Sequence, residues 1–134
     1  MSPSSGRAGP PASILVVDDE LDNRELLGLI LEHEGYLVLT AASAHEALSV
    51  LERHSPDLIL LDIMMPDVDG YQLAAKIKGN PATHDIPIAM ISGLDDRNSR
   101  MLAQRAGADA FFTKPMGRAE ICERVKKLLA SPDR

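Results

Sequence analysis

Short apolar runs alternate along the chain with segments of helical periodicity, and this alternation restricts the fold more than any other feature of the sequence. Five such runs are present: residues 14–17, 36–40, 57–62, 86–92 and 110–113. Strands that alternate with helices predict a parallel sheet covered by helices on both faces. Because crossovers between parallel strands are right-handed, five βα units favour an α/β, flavodoxin-like (βα)5 fold with strand order 2-1-3-4-5.

The helices are predicted from apolar periodicity and capping residues. The first carries Leu26, Leu27, Ile30 and Leu31 on one face and ends at Gly35. The second begins with SAHE at 43–46, an S-x-x-E capping box. This second helix is predicted over residues 43–54, and three further helices are predicted over residues 69–78, 94–106 and 118–130.

The chain has 134 residues, which is the size of one ordinary domain. We expect a disordered leader at 1–12, rich in Ser, Gly and Pro, a single domain at 13–130 and a short tail at 131–134. No segment is apolar and long enough for a signal peptide or a membrane span, so we expect a cytoplasmic protein without membrane contact.

Charge and cysteine content exclude several classes of function. The formal net charge of -6 argues against a general nucleic-acid surface, which is normally basic, so no direct nucleic-acid contact is expected. Cys122 is the only cysteine, so neither a disulfide within the chain nor a cysteine metal cluster can form.

Polar residues stand where the predicted strands end. Asp18 and Asp19 follow the first strand, Asp62 ends the third, Ser92 ends the fourth and Lys114 follows the fifth. The carboxyl ends of parallel strands lie at one edge of the sheet, where such folds bind ligands. The strand assignments therefore predict three carboxylates, a hydroxyl and an ammonium at one site.

The chemistry of such a site is restricted by charge. Three neighbouring carboxylates repel one another, and a divalent cation removes the conflict. Oxygen ligands of this kind suit Mg²⁺, which is often completed by phosphate oxygens. Lysine and serine are good partners for phosphate, and a carboxylate can itself act as the nucleophile that forms an acyl phosphate.

Four motifs, each at a strand end, resemble the receiver domains of response regulators in two-component signal transduction. They are VVDDE, LDIMMPDVDG, MISG and FFTKP, and the resemblance covers about residues 13–130. It implies that Asp62 accepts phosphate from a histidine kinase or a histidine phosphotransfer protein. It also implies that Mg²⁺ is held by Asp18, Asp19, Asp62 and the backbone carbonyl of Met64.

The resemblance further implies a switch that follows phosphorylation. Ser92 and Lys114 would bind the phosphoryl oxygens, and Ser92 would then move toward the phosphate. Phe111 would turn inward into the vacated space, although an ordinary core role fits this residue equally well. The peptide bond before Pro115 would be cis. The surface of the fourth helix, fifth strand and fifth helix would change, to be recognised by an output partner or by a second copy.

The sequence departs from the commoner receiver pattern at four positions. Ser92 stands where threonine is frequent, and Phe111 replaces a frequent tyrosine. Met64 and Leu94 are apolar at positions that tune water access in the family. Slow self-dephosphorylation is the hypothesis that follows from these two apolar residues.

Two other functions fit parts of the pattern. A Mg²⁺-dependent phosphohydrolase of the haloacid dehalogenase type also uses an aspartyl nucleophile, but it needs a second acid where Met64 stands. A receiver-like module used only for assembly usually lacks one of the key acids or the lysine, and all are present here. We therefore expect a signalling domain and not an enzyme, either as a free-standing regulator or as the receiver of a longer protein.

Overall fold

The computed structural model describes residues 11–62, 70–93 and 97–130, and within them strands and helices alternate strictly. The elements are β1 Ser13–Val17, α1 Leu21–His33, β2 Leu37–Ala41, α2 Ala44–Arg53, β3 Leu58–Asp62, α3 Gly70–Lys78, β4 Ile88–Ser92, α4 Arg97–Arg105, β5 Ala110–Thr113 and α5 Arg118–Ala130. The predicted bounds of β5 and α5 are confirmed. Strand β2 lies one residue later than predicted, and β4 begins two residues later.

The five strands form one parallel sheet in the order β2-β1-β3-β4-β5, which confirms the predicted fold. Strands β1, β3 and β4 are interior strands and are almost wholly buried, as their apolar runs predicted. The register places Asp62 beside Ile91 and Ser92 beside Thr113. The strands that carry the predicted site residues therefore end at one edge of the sheet.

The core consists of two aliphatic layers, one on each face of the sheet. Buried residues of α2, α3 and α4, such as Ala47, Leu73 and Ala103, pack on one face. Leu31 of α1 and Val125 of α5 pack on the other. Both layers are needed, because a parallel sheet that is apolar on both faces must be covered on both.

The predicted inward face of α1 is wrong at one position. Leu26 is 59 % exposed, whereas Gly28 is buried and Leu31 is fully buried. A Cβ atom on Gly28 would lie 3.6 Å from the Cγ1 atom of Val38, so the helix lies close to the sheet at this glycine. The buried stripe of α1 therefore includes Gly28 and Leu31, and Leu26 lies at the surface.

Two helices end with a glycine in the left-handed region, where a side chain would be strained. Gly35 after α1 has φ 95°, and Gly107 after α4 has φ 96°. At α1 the N–H groups of Gly35 and Tyr36 donate to the carbonyls of Glu32 and Leu31, the pairing of a Schellman motif. At the start of α2, Ser43 Oγ accepts from the N–H of Glu46, which confirms that half of the predicted capping box.

Several predictions fall on residues outside the described ranges. These are Met64, Leu94, the first residues of the helices predicted to begin at 69 and 94, most of the leader and the tail, so their assignments stay predictions. Ala12, at the end of the predicted leader, is buried, and its carbonyl accepts from the N–H of Leu37. Among the helices of the described ranges, none has the length and apolar character required to cross a membrane.

The side chain of Lys78 connects the end of α3 with two other segments, one before β4 and one before β5. Its Nζ atom donates to the carbonyls of His84 and Ile86, at 3.2 and 2.9 Å, and lies 3.0 Å from Asp109 Oδ2. The same Asp109 oxygen accepts from the N–H of Ile88 at the start of β4. A Cβ on Gly107 would lie 2.8 Å from Lys78 Cγ, so only glycine leaves room for this side chain. The lysine thus ties the end of α3 to the segments that lead into β4 and β5.

Replacing Lys78 with methionine should lower the free energy of unfolding by roughly 1.5–3 kcal/mol, because the aliphatic stem stays while the charged hydrogen bonds are lost. Urea unfolding followed by circular dichroism measures the change. Lys76→Met is the matched control, since Lys76 is exposed on the same helix. Equal losses for the two variants would contradict the role assigned to Lys78.

Candidate functional site

Three carboxylates meet at the carboxyl edge of the sheet. Asp18 and Asp19 follow β1, Asp62 ends the adjacent β3, and one carboxylate oxygen from each lies within 4.8 Å of the others. Asp18 and Asp62 are buried, whereas Asp19 is exposed. The structure thus brings together the three acids that the sequence placed at strand ends, and it leaves one side of the cluster open to solvent.

Hydrogen bonds fix both the backbone and the side chain of Asp18. Its N–H donates to the carbonyl of Ala41 at 3.1 Å, and its Oδ1 accepts from the N–H of Glu20 at 2.9 Å. Arg24 of α1 donates from Nη1 to the Asp18 carbonyl at 2.8 Å. Arg24 was not predicted as part of the site, and its signal in the sequence is an arginine one turn into the helix that follows the acids.

Lys114 supplies positive charge to the cluster. Its Nζ lies 3.6 Å from Asp62 Oδ2, the distance of an ion pair without a close hydrogen bond. The backbone N–H of Lys114 donates to the carbonyl of Ser92 at 2.8 Å, which fixes the lysine relative to the end of β4. The peptide bond between Lys114 and Pro115 is cis.

The electrostatic balance of the cluster is visible at Asp18. Burial raises the pKa of this carboxyl from 3.8 to about 6, and the negative charge of Asp62 adds to the increase. The N–H of Glu20 and the charge of Lys114 act in the opposite direction and do not cancel it. One lysine therefore leaves the acids short of positive charge, and an all-oxygen donor set of this kind fits a hard divalent cation such as Mg²⁺.

Ser92 and Phe111 lie on the same face of neighbouring strands. Ser92 is fully buried at the end of β4, and Phe111 lies in β5 beside Met90, two residues before Ser92. The Phe111 ring is only 9 % exposed, and the guanidinium carbon of Arg100 lies 4.9 Å from its centroid. Most of the Phe111 side chain is thus covered by its neighbours.

An apolar cavity of about 360 Å³ adjoins the acidic cluster. Asp18 and Lys114 contribute to its lining, together with Leu26 of α1 and Met116, which follows the cis bond. Leu26, which was predicted to face inward, is thus an exposed apolar group in a cavity that adjoins the carboxylates. An apolar wall next to a charged site is suited to contact with another protein.

Replacing Asp18 with asparagine should stabilise the metal-free protein by about 1–2 kcal/mol near pH 7, because the charge is lost while an oxygen can still accept from Glu20. The folded pKa is raised, so the parent loses stability as pH rises from about 4 to about 6, and the gain should be smaller near pH 4.

Chemical unfolding in the presence of a chelator at the two pH values measures this difference. Asp22→Asn is the control, since Asp22 is exposed in the first turn of α1. A gain for Asp18→Asn that is equal at both pH values would contradict the electrostatic explanation.

Comparisons with known proteins agree with this geometry. The family model described as the response regulator receiver domain matches residues 14–126. The response regulator PleD of Caulobacter vibrioides is 43% identical over 117 residues, which cover 87% of this chain and 26% of PleD. The phosphate regulon transcriptional regulatory protein PhoB of Pseudomonas aeruginosa is 38% identical over 117 residues, which cover 87% of this chain and 51% of PhoB. The chain therefore spans about a quarter to a half of these relatives.

A solved structure shows the same arrangement. The CheY-like response regulator receiver domain protein from Methanospirillum hungatei superposes with a TM-score of 0.83 at 33% identity. The superposition covers 89% of this chain and 94% of that one. Sequence, strand order and the position of the acids at the sheet edge thus converge, and the chain belongs to the response regulator receiver domain family of two-component signalling.

Proposed function

We propose that Asp62 accepts a phosphoryl group from the phosphohistidine of a histidine kinase or a histidine phosphotransfer protein, with Mg²⁺ bound beside it. One observation carries the proposal. One carboxylate oxygen from each of Asp18, Asp19 and Asp62 lies within 4.8 Å of the others, and Lys114 Nζ lies 3.6 Å from Asp62 Oδ2. A structural acid at a strand end would need neither two further acids nor a lysine directed toward it.

The transfer is a substitution at phosphorus. A carboxylate oxygen of Asp62 forms the new bond to phosphorus, the phosphorus–nitrogen bond of the donor breaks, and its electron pair returns to the donor imidazole. The backbone of Asp62 is held in an interior strand, so the attacking oxygen is positioned before the donor arrives. The charge of Lys114 favours the approach of the anionic phosphoryl group.

Magnesium fits the donor set of this site. Asp18, Asp19 and Asp62 each offer a carboxylate oxygen. The negative charge of Asp62 contributes to the raised pKa of Asp18, and a cation would offset this repulsion between the acids. The carbonyl of Met64 stays a predicted further ligand outside the described residues. Bound Mg²⁺ would neutralise charge on the acids and on the phosphoryl oxygens.

Ser92 and Lys114 are proposed to bind the phosphoryl oxygens once Asp62 is modified. The hydrogen bond between the N–H of Lys114 and the carbonyl of Ser92 fixes their backbones together at the same edge. A change at Ser92 is therefore placed directly beside β5. We propose that the surface of α4, β5 and α5 transmits the signal to an output partner or a second copy.

The phosphodonor protein is proposed to dock on α1. Leu26 is largely exposed and lines the apolar cavity together with Asp18 and Lys114. A donor helix that buries Leu26 would bring its phosphohistidine to the open side of the acidic cluster. Exposed apolar groups on a monomer commonly mark such contacts.

Receiver domains are signalling domains, and the alternatives have less support in this chain. A phosphohydrolase would need an acid in place of Met64, and an assembly module would not need the complete set of acids and lysine that meet here. PhoB is a transcriptional regulatory protein, so the predicted absence of direct nucleic-acid contact stays a prediction for this chain and for any longer protein that contains it.

Incubation with acetyl phosphate and Mg²⁺ should add the mass of one phosphoryl group to the protein, as measured by intact-mass spectrometry. Asp62→Asn should abolish the addition, and chelation of Mg²⁺ should reduce it strongly, because both the nucleophile and the charge balance are needed. An unchanged mass for the parent protein would contradict the proposal.

The same measurement, followed after acetyl phosphate is removed, tests the proposed slow self-dephosphorylation. A phosphoryl half-life of seconds would contradict it.

Leu26→Ala should lower kcat/KM for phosphotransfer from a phosphorylated histidine phosphotransfer protein by roughly tenfold, the loss expected when one buried leucine is truncated. The rate with acetyl phosphate should not change, because a small donor does not contact α1. Leu37→Ala is the matched control, since Leu37 is also exposed but lies at the opposite end of the strands. Equal effects of the two variants on protein-donor transfer would exclude docking on α1.

A further inference from the structure

Phe111 is covered from the side of α4 by an arginine. The guanidinium carbon of Arg100 lies 4.9 Å from the centroid of the Phe111 ring, within the range of a cation–π contact. Arg100 itself is exposed on α4, whereas Phe111 is buried. The ring thus lies beneath a charged side chain that faces solvent.

The turn of α4 that carries Arg100 is attached to α3. The Tyr71 hydroxyl donates to the carbonyl of Ser99 at 3.3 Å, directly before Arg100 in the chain. Tyr71 is the second residue of α3, which begins eight residues after Asp62. The position of Arg100 is therefore coupled to α3.

A second arginine holds the backbone of the same strand from the other face. Arg124 of α5 donates from Nη2 to the carbonyl of Phe111 at 3.2 Å, and its guanidinium carbon lies 4.3 Å from the centroid of the Phe112 ring. The main chain at Phe111 is thereby fixed to α5 and, through strand pairing, to β4. These contacts fix the backbone of Phe111 but not the orientation of its side chain, which faces α4.

We propose that Arg100 is a positioning residue that holds the Phe111 ring in its buried orientation. Phenylalanine has no hydroxyl with which to form a hydrogen bond, so the contact of the ring face with a guanidinium takes over the polar anchoring of the aromatic side chain. The Arg100 side chain on the α4 surface is then in direct contact with Phe111. Its position therefore responds to the orientation of the Phe111 ring.

The consequence concerns the proposed output surface, and in this respect the inference rests on the proposed function. A partner carboxylate that pairs with the exposed Arg100 guanidinium would compete with the Phe111 ring for the same group. Partner binding and ring orientation would then be linked, each changing the equilibrium of the other by the same factor. The resting orientation of the ring can nevertheless be measured without phosphate or partner.

The composition of the chain allows a direct test. The protein has only two phenylalanines, so incorporation of 4-fluorophenylalanine gives two fluorine resonances, which a Phe112→Leu variant assigns. The broadening of each resonance by a soluble paramagnetic gadolinium chelate reports the exposure of its ring. The measurement compares the parent, Arg100→Gln and Arg105→Gln, the last being a matched loss of charge at an exposed arginine of the same helix.

In the parent, both resonances should be protected from the chelate. Arg100→Gln should increase the ratio of exposed to buried Phe111 by roughly two- to fivefold, the size expected for loss of one cation–π contact at an exposed position. The Phe112 resonance and the Arg105→Gln variant should match the parent. Unchanged protection of Phe111 in Arg100→Gln, or an equal loss at Phe112 that marks general loosening, would overturn the inference.

Repeating the comparison in an Asp62→Asn background separates this inference from the proposed function. The effect of Arg100→Gln should persist there, because it requires no phosphate. Disappearance of the effect in that background would show that Arg100 does not hold the ring independently of the phosphoacceptor.

Discussion

The candidate site depends on the placement of two buried carboxylates, Asp18 and Asp62, at the ends of adjacent interior strands. Burial and mutual repulsion oppose ionisation of Asp18 and raise its pKa to about 6. Lys114 and the N–H of Glu20 reduce this penalty without removing it. Such an arrangement persists because the surrounding fold provides stability, and the remaining excess of negative charge is what a bound cation would offset.

The sheet provides that support through two covered faces. Strands β1 and β3 are packed between the α1 and α5 layer and the α2, α3 and α4 layer, so the acids cannot separate without disturbing both. Arg24 fixes the Asp18 backbone from α1, and Lys78 fixes the segments before β4 and β5. The same rigidity that imposes the repulsion also positions the attacking oxygen of the proposed phosphotransfer.

The proposed output surface, formed by α4, β5 and α5, is organised around β5. Its two phenylalanines face opposite layers, and each ring is contacted by an arginine, Phe111 by Arg100 and Phe112 by Arg124. Membership of the receiver family explains the site at the sheet edge, and the relatives show that such a domain occurs as a part of longer regulators. The contact between Arg100 and Phe111 is the observation behind the proposal that Arg100 positions this ring.

The sequence by itself predicted the strand order, because right-handed crossovers leave few arrangements of five βα units. It also placed three acids, a serine and a lysine at the strand ends, because short apolar runs that end in such residues are local signals. It also located Gly35 as a helix end, since left-handed backbone favours glycine. Only the tertiary structure decided that Leu26 faces solvent, that Arg24 and Lys78 fix the backbone, and that Arg100 covers Phe111. These outcomes depend on how the helices pack on the sheet and on side-chain contacts between different elements, which periodicity along the chain does not determine.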